Sequence, residues 1–408
     1  MQQNQKFLYQ CINCGAEYAD NELIYLCYAC SKQNKPGEPP KGVLKVIYDY
    51  QAVKNKNLDF QNLKENKFLD LLPIEKKESL PNLRIGDTPL YTFTSFGNDK
   101  LPFKLHLKDD SQNPTFSFKD RASALVSAFA KERGFDTIVT ASTGNAGSSL
   151  AGICAAQGQK AIIMVPESAP PAKLTQIMMY GASIVPVKGT YDDAFDLSIA
   201  ATERFGWYNR NTAYNPLTIE GKKTVAFELF EQLGFRIPNR IFVPVGDGVI
   251  ISGVYKGFED LIMLGFINRM PIIVAVQSMG SDNLVRNLDK PVFEIKSSHT
   301  IADSIAVDIP RNFFMTQQFL RQYRGETIVV SDMEILTASS VLASKTGIFA
   351  EPAASAAFAG LMAYQQQEKL PAISDNVVLL TGSGLKDLKS VSSMVIMPPS
   401  KFPDVRNI

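Results

Sequence analysis

The sequence predicts an α/β protein: parallel-rich twisted sheets with helices on both faces, preceded by a small cysteine knuckle. Three observations carry this expectation. Short β-branched runs alternate with helical patterns through most of the chain. Three of those runs end in glycine turns. Four of the five cysteines lie within the first 30 residues.

Composition bounds the rest. At about 150 residues per domain, a chain of 408 residues makes two or three domains with a large core. Hydrophobic residues at 45% and charged residues at 20% argue against extensive disorder. Lys and Arg number 42 against 41 Asp and Glu, so no charge excess draws the chain to nucleic acid or to an anionic membrane. The start, Met-Gln-Gln-Asn-Gln-Lys, carries no apolar targeting core, and no run of about 18 apolar residues escapes charge. The Ala-rich stretch after 338 is interrupted by Lys345 and Glu351. A cytoplasmic location is the expectation. The two histidines, His106 and His299, leave little material for a histidine metal site or a Ser-His-Asp triad.

The cysteines read Cys11-Ile-Asn-Cys14 and Cys27-Tyr-Ala-Cys30 over residues 1–35. Two such turns aim four thiolates at one point, which suits a tetrahedral zinc ion with no open position, hence a structural zinc-ribbon-like site. Disulfides or idle thiols are the alternative, and a reducing compartment disfavours the former. Residues 32–40, rich in Lys, Pro and Gly, read as a linker, and 41–84 as a segment wrapping the main body.

The clearest repeating unit is a strand over 137–141, the turn Ser142-Thr-Gly-Asn-Ala-Gly147, a helix over 148–157, and a second strand over 161–165. Another unit joins a strand over 240–245 to Gly246-Asp247-Gly248 and a helix over 251–264. The third joins a strand over 376–381 to Gly382-Ser383-Gly384 and a helix from Leu385 onward. Glycine lets backbone approach a ligand closely, and a helix start offers unpaired N–H groups, so each turn can hold a phosphate or carboxylate. In a parallel sheet such turns gather at the carboxyl ends of the strands. The usual nucleotide motifs are absent: Ile251 stands where a dinucleotide fingerprint wants its third glycine, and Gly221-Lys-Lys-Thr224 lacks the upstream glycine of a P-loop.

Lys119 lies between Phe118 and Asp120 at the start of a helix expected over 120–133, within Asn113-Pro-Thr…Ser117-Phe-Lys-Asp-Arg121. Alone it is a lysine at a helix start. The segment resembles the Schiff-base lysine motif of the fold-type II pyridoxal phosphate enzymes, the tryptophan synthase β-subunit-like superfamily. The other turns then resemble that family's parts in the same chain order. Ser142, Thr143, Gly144 and Asn145 are similar to its substrate-carboxylate loop, with Asn145 implied beside the cofactor's 3′-oxygen. Gly246, Asp247, Gly248, Val249 and Ile250 take the place of the loop whose amides hold the cofactor phosphate. Thr381 takes the place of the hydroxyl on the pyridine nitrogen. The resemblance implies a two-domain body: 41–105 with 225–408 as the larger domain, and 106–224 as the smaller one carrying Lys119 and the substrate loop.

Three features narrow the resemblance to the threonine synthases: Asn215-Pro-x-x-x-Glu220-Gly-Lys-Lys-Thr224, Thr381-Gly-x-Gly-Leu-Lys-Asp387, and the cysteine ribbon. What this implies is a homodimeric lyase that converts O-phospho-L-homoserine and water to L-threonine and phosphate by γ-elimination and β-addition. Lys119 would be its general base, which near neutral pH requires a pKa lowered by burial or neighbouring positive charge. A hydroxyl rather than a carboxylate on the pyridine nitrogen favours elimination over transamination.

Three departures stand out. Phe116 occupies a place where a small residue is usual and is expected to narrow the floor of the site. Asp247 puts a carboxylate in the phosphate loop, so it must point away or face a cation. Thr218 stands where the family often has a phosphate-binding arginine, with Lys222, Lys223 or Arg121 as possible substitutes. This departure favours the alternative of a β-elimination or β-replacement enzyme, similar to serine/threonine dehydratases or cysteate synthase, while the cysteine ribbon disfavours a dehydratase, and the threonine synthase reading stands first. The third alternative is a non-catalytic binding module. His106, Cys154, Phe205, Trp207 and the stretch 353–362 read as structural.

Overall fold

A computed structural model describes residues 5–395 and 397–400, and these form thirteen strands in three sheets. The first is antiparallel, with β1 (Phe7–Cys11) between β2 (Glu17–Ala19) and β3 (Leu44–Tyr48). The segment 44–48 was expected to wrap the body; instead it completes the sheet of the cysteine knuckle, with Leu44 opposite Cys11 and Tyr48 opposite Phe7. Its alternating burial explains this: Leu44, Val46 and Tyr48 point inward, a period of two.

The largest sheet comprises β4 (Leu90–Phe96), β5 (Asp99–Asp109), β10 (Arg240–Pro244), β11 (Ile272–Ser278), β12 (Glu326–Val330) and β13 (Asp375–Leu380), in the order β12-β11-β10-β13-β5-β4. All its pairings are parallel except the β4–β5 hairpin at the edge. The smaller sheet, β8-β7-β6-β9, is wholly parallel and built from β6 (Thr137–Ala141), β7 (Lys160–Pro166), β8 (Ser183–Val187) and β9 (Tyr208–Asn209). The fold is therefore α/β with parallel-rich mixed sheets. The central strands β10, β11 and β13 read as continuous apolar runs because both faces are covered. The small-residue helix Pro352–Gln366 lies against β10 and β13, and Gly360 faces Val276 where a Cβ would stand 2.7 Å from a methyl group. The domain boundary expected at 105/106 falls inside β5, which continues in the large sheet to Asp109.

The third expected unit differs. After β13 the chain makes one tight turn, Gly384–Lys386, and a four-residue helix, Leu388–Val391, rather than a long helix. Leu385 and Leu388 are exposed, so a longer helix here would bury no apolar face. Among the described residues no helix is long and apolar enough to cross a membrane.

Two buried charge webs tie the sheets together. Arg121 grips Asp110 at the end of β5 through Nε at 2.6 Å and Nη2 at 2.9 Å, and Glu228 through Nη2 at 2.8 Å; Lys108 Nζ reaches Glu228 at 2.6 Å. Burial pushes the Glu228 carboxyl up, but Arg121 and then Lys108 more than offset it and hold it below the usual carboxylate range. In the second web Tyr48 donates to Glu220 at 2.7 Å, while Lys223 pairs with Glu220 at 2.6 Å and Asp260 at 2.7 Å. The knuckle's third strand is thus bonded to helix Leu217–Lys222.

Glu228→Gln leaves Arg121 and Lys108 with too little countercharge and is expected to cost about 3–5 kcal/mol in urea unfolding at neutral pH. Because the folded-state pKa is depressed, that stabilisation is present above the ordinary value of 4.5 and is lost as the pH falls below it, so parent and variant converge in acid.

Candidate active site

The ends of the parallel strands of the two larger sheets face one another across a cavity of about 550 Å³. Lys119 lines it from the first position of helix Lys119–Glu132. The turn before it is fixed from several sides. Thr115 donates its N–H to Asp120 at 2.7 Å and its hydroxyl at 2.5 Å, and Phe118 N–H donates to the Thr381 carbonyl at 2.9 Å. Burial draws the Lys119 pKa below the usual lysine value; Glu351 opposes this and Arg210 adds to it.

Ser142, Thr143, Gly144 and Asn145 line the wall opposite, where β6 gives way to helix Asn145–Gln157. Gly144 has open space where a Cβ would stand. Asn145 Nδ2 donates to both oxygens of Glu351, at 2.9 and 3.0 Å. In sequence Glu351 shows only as a break in an Ala-rich run. It is 3% exposed and precedes Pro352 at the start of an apolar helix; burial pushes its carboxyl up, and Asn145 ahead of Lys119 opposes that. A lone acid at the head of an otherwise apolar helix was the available signal.

Gly246, Asp247, Gly248, Val249 and Ile250 form the third wall, where β10 passes into helix Val249–Leu264. Gly248 has φ 85°, a Cβ there would overlap Thr316 Oγ1, and a Cβ on Gly246 would meet Ile305 Cα at 3.0 Å. The unpaired amides of the sixteen-residue helix that follows make an anion cradle. Asp247 turns its carboxylate to the Arg311 N–H at 3.2 Å. Burial pushes that carboxyl up, and Arg311, Lys119 and Lys222 oppose it.

Other positions resolve differently. Thr381 is buried beneath the lysine's turn and is not among the described residues that line the cavity. Phe116 does not narrow the floor: its backbone is left-handed at φ 67° and its ring is 48% exposed, away from the cavity lining. His106 bonds Thr92 and Asp375 at 2.9 Å each, and Cys154 is a core thiol pushed up to about 12 by burial. Trp207 stacks on Phe205 with centroids 4.7 Å apart.

The four amino-terminal thiols gather with all sulfurs within 4.8 Å of one another. Cys11 and Cys30 sulfurs are 3.8 Å apart, those of Cys14 and Cys27 3.7 Å. A tetrahedral ion at a metal–sulfur distance of about 2.3 Å requires an edge of about 3.8 Å, so the cluster fits a metal site.

Gly248→Ala is expected to weaken binding of a phosphate-bearing ligand about tenfold or more in equilibrium dialysis. Gly265→Ala, at the same φ of 85° but in open space, is the control and is expected to cost only about 1–2 kcal/mol of stability.

Residues 82–382 match the pyridoxal-phosphate dependent enzyme family. The threonine synthase of Methanocaldococcus jannaschii is 34% identical over 388 residues, 93% of each chain. That of Methanosarcina acetivorans is 33% identical over 94% of this chain and 93% of its own. The fold resembles the processed form of threonine deaminase isoform 2 from Solanum lycopersicum (TM-score 0.65, 23% identity, 75% of this chain and 82% of that one). It also resembles serine racemase from Dictyostelium discoideum (TM-score 0.64, 24% identity, 80% and 98%). The residues present fit the cofactor: a buried amine of lowered pKa and a glycine anion cradle open on the same cavity. With an amine, a cradle and a sequence match that all fall within the same span, the chain belongs to the pyridoxal-phosphate dependent enzymes of fold-type II, on their threonine synthase-like branch.

Proposed function

We propose that this chain is a threonine synthase, converting O-phospho-L-homoserine and water to L-threonine and phosphate by γ-elimination and β-addition. The observation that carries the reading is one shared cavity lined by Lys119, the 142–145 turn and the 246–250 cradle, in a chain 34% identical to a threonine synthase over 93% of its length. Pyridoxal phosphate, when bound, supplies a ring that stabilises negative charge at the substrate's α-carbon. The chain's own residues do the rest. The amides from Gly246 to Ile250 hold the cofactor's phosphoryl tail, and the 142–145 turn holds the substrate carboxylate. Asn145, on the cavity wall, would hold the cofactor's 3′-oxygen, and Thr381, behind the Lys119 turn, is the residue whose hydroxyl would serve the ring nitrogen. Lys119 Nζ takes the α-proton and then moves protons at the β-carbon; its lowered pKa makes the free amine available. Sequestered between two sheets, the reacting atoms are kept from bulk water except the one molecule added.

A second reading, β-elimination or β-replacement on a hydroxy- or phospho-amino acid, has Thr218 in its favour: the side chain is buried and its hydroxyl donates to the Asn215 carbonyl at 2.8 Å. The proposal extends to zinc at Cys11, Cys14, Cys27 and Cys30, to a homodimer and to a cytoplasmic location.

Incubated with O-phospho-L-homoserine, the purified protein is expected to release phosphate and L-threonine in equal amounts, without ammonia. Ammonia from threonine or serine instead assigns the second reading. Lys119→Ala is expected to lower turnover about 10²–10⁴-fold or more, and Lys119→Arg is not expected to restore it. The parent's rate rises with pH up to the lowered lysine pKa, since only the unprotonated amine accepts a proton. Thr381→Asp is expected to change the product ratio more than the cofactor content. Chelation of the knuckle's zinc is expected to lower the unfolding temperature.

A further inference from the structure

Three cations stand near the missing arginine at 218, and their surroundings differ. Arg121 is engaged by Asp110 and Glu228. Lys223 is engaged by Glu220 and Asp260, and lies 4.1 Å from the centroid of the Tyr48 ring. Lys222 has neither kind of partner. It is fully buried, it lines the cavity, and its Nζ has no hydrogen-bond partner among the described residues.

Arg210 repeats the pattern. It too is fully buried, and its Nη2 has no partner among the described residues. Its Nη1 donates to Thr212 Oγ1 at 2.8 Å, and Thr212 lines the cavity. Burial pulls both cations below their ordinary pKa, Arg210 to about 10; Lys119 and then Arg210 repel Lys222 further, with Asp247 as the opposing carboxylate. Such a cluster is unfavourable unless an anion enters it. The backbone is shaped to bring it there. Gly253, in the second turn of the helix above the cradle, lets Lys222 come close, since a Cβ at 253 would stand 2.7 Å from Lys222 Cβ.

We propose that Lys222 anchors a phosphoryl dianion inside this cavity in place of the arginine absent at 218, with Arg210 adding positive charge and setting Thr212 against the same group. The proposal rests on reading the cavity as a pyridoxal phosphate site. Two phosphoryl groups share the required chemistry, the cofactor's tail and the substrate's leaving group.

The test compares the full-length parent with Lys222→Met, Lys222→Gln and Lys222→Arg. One arm measures the dissociation constant for pyridoxal phosphate by equilibrium dialysis. The other measures binding of inorganic phosphate to the holoenzyme from the cofactor's absorbance. Loss of a charge-assisted contact is expected to weaken one of these about tenfold or more in Lys222→Met and Lys222→Gln, with recovery in Lys222→Arg. A change confined to cofactor binding assigns the tail; a change confined to inorganic phosphate assigns the leaving group. Unchanged affinities in both arms overturn the proposal. So does a Lys222→Met chain that unfolds, because removing an unpaired buried charge is expected to preserve or raise the unfolding temperature. If the parent makes no threonine from O-phospho-L-homoserine, the function proposed above fails, and the two binding arms still decide the role of Lys222.

Discussion

The placement of the reactive amine depends on a buried ion pair two residues away. Arg121 holds Asp110 in bidentate fashion, and Asp110 follows directly on the longest strand of the large sheet. With Glu228 closing the other side, the start of helix Lys119–Glu132 is pinned to both the sheet and helix Thr224–Gln232. Sliding the helix would strand charges in the interior, a far larger penalty than bending a loop. The Thr115–Asp120 bonds and the Thr381 carbonyl then fix the last turn before Lys119. A lysine side chain is long and loose, and anchoring its Cα this firmly is what turns it into a positioned group.

In and just behind the cavity wall, charges are arranged in opposition. Lys119 is set against Glu351, and Asp247 against Arg311. Arg311 also reaches out of the site, pairing with Asp192 and lying 3.9 Å over the Phe195 ring, while Lys173 meets Asp303 at 2.8 Å. These rim contacts join the smaller sheet's helices to loops of the larger one. They are partly exposed, so each is weak alone and sensitive to salt. The floor of the site is therefore rigid and its rim adjustable.

Much of this was legible in the sequence because it rests on local patterns. Strands 137–141 and 240–244, the glycine turns after them and the paired CxxC motifs follow from β-branched runs, the small residues that close each strand and thiol spacing. Glu351 was not legible as part of the site, since only tertiary folding brings it within reach of Asn145, over two hundred residues earlier. The isolation of Lys222 was equally hidden: adjacent lysines at 222 and 223 look alike in sequence, and the helix turns one toward carboxylates and the other toward the cavity. That strand 44–48 pairs with the knuckle rather than the body is not legible locally, because a strand's partner is not written in its own pattern. The tract after 384 looked helical by analogy with two true units, but it has no apolar stripe to bury.

The bond from Tyr48 to Glu220 makes the amino-terminal knob a mechanical brace rather than an appendage. Cys11 stands at one end of a two-strand ribbon and Tyr48 at the other, with Leu44 to Tyr48 running between them as a stiff rod. Glu220 is held at the rod's tip, one helical step before the Gly221-Lys222 pair. The four sulfurs and the wall of a cavity that none of them touches thus stand at the two ends of one continuous hydrogen-bonded path.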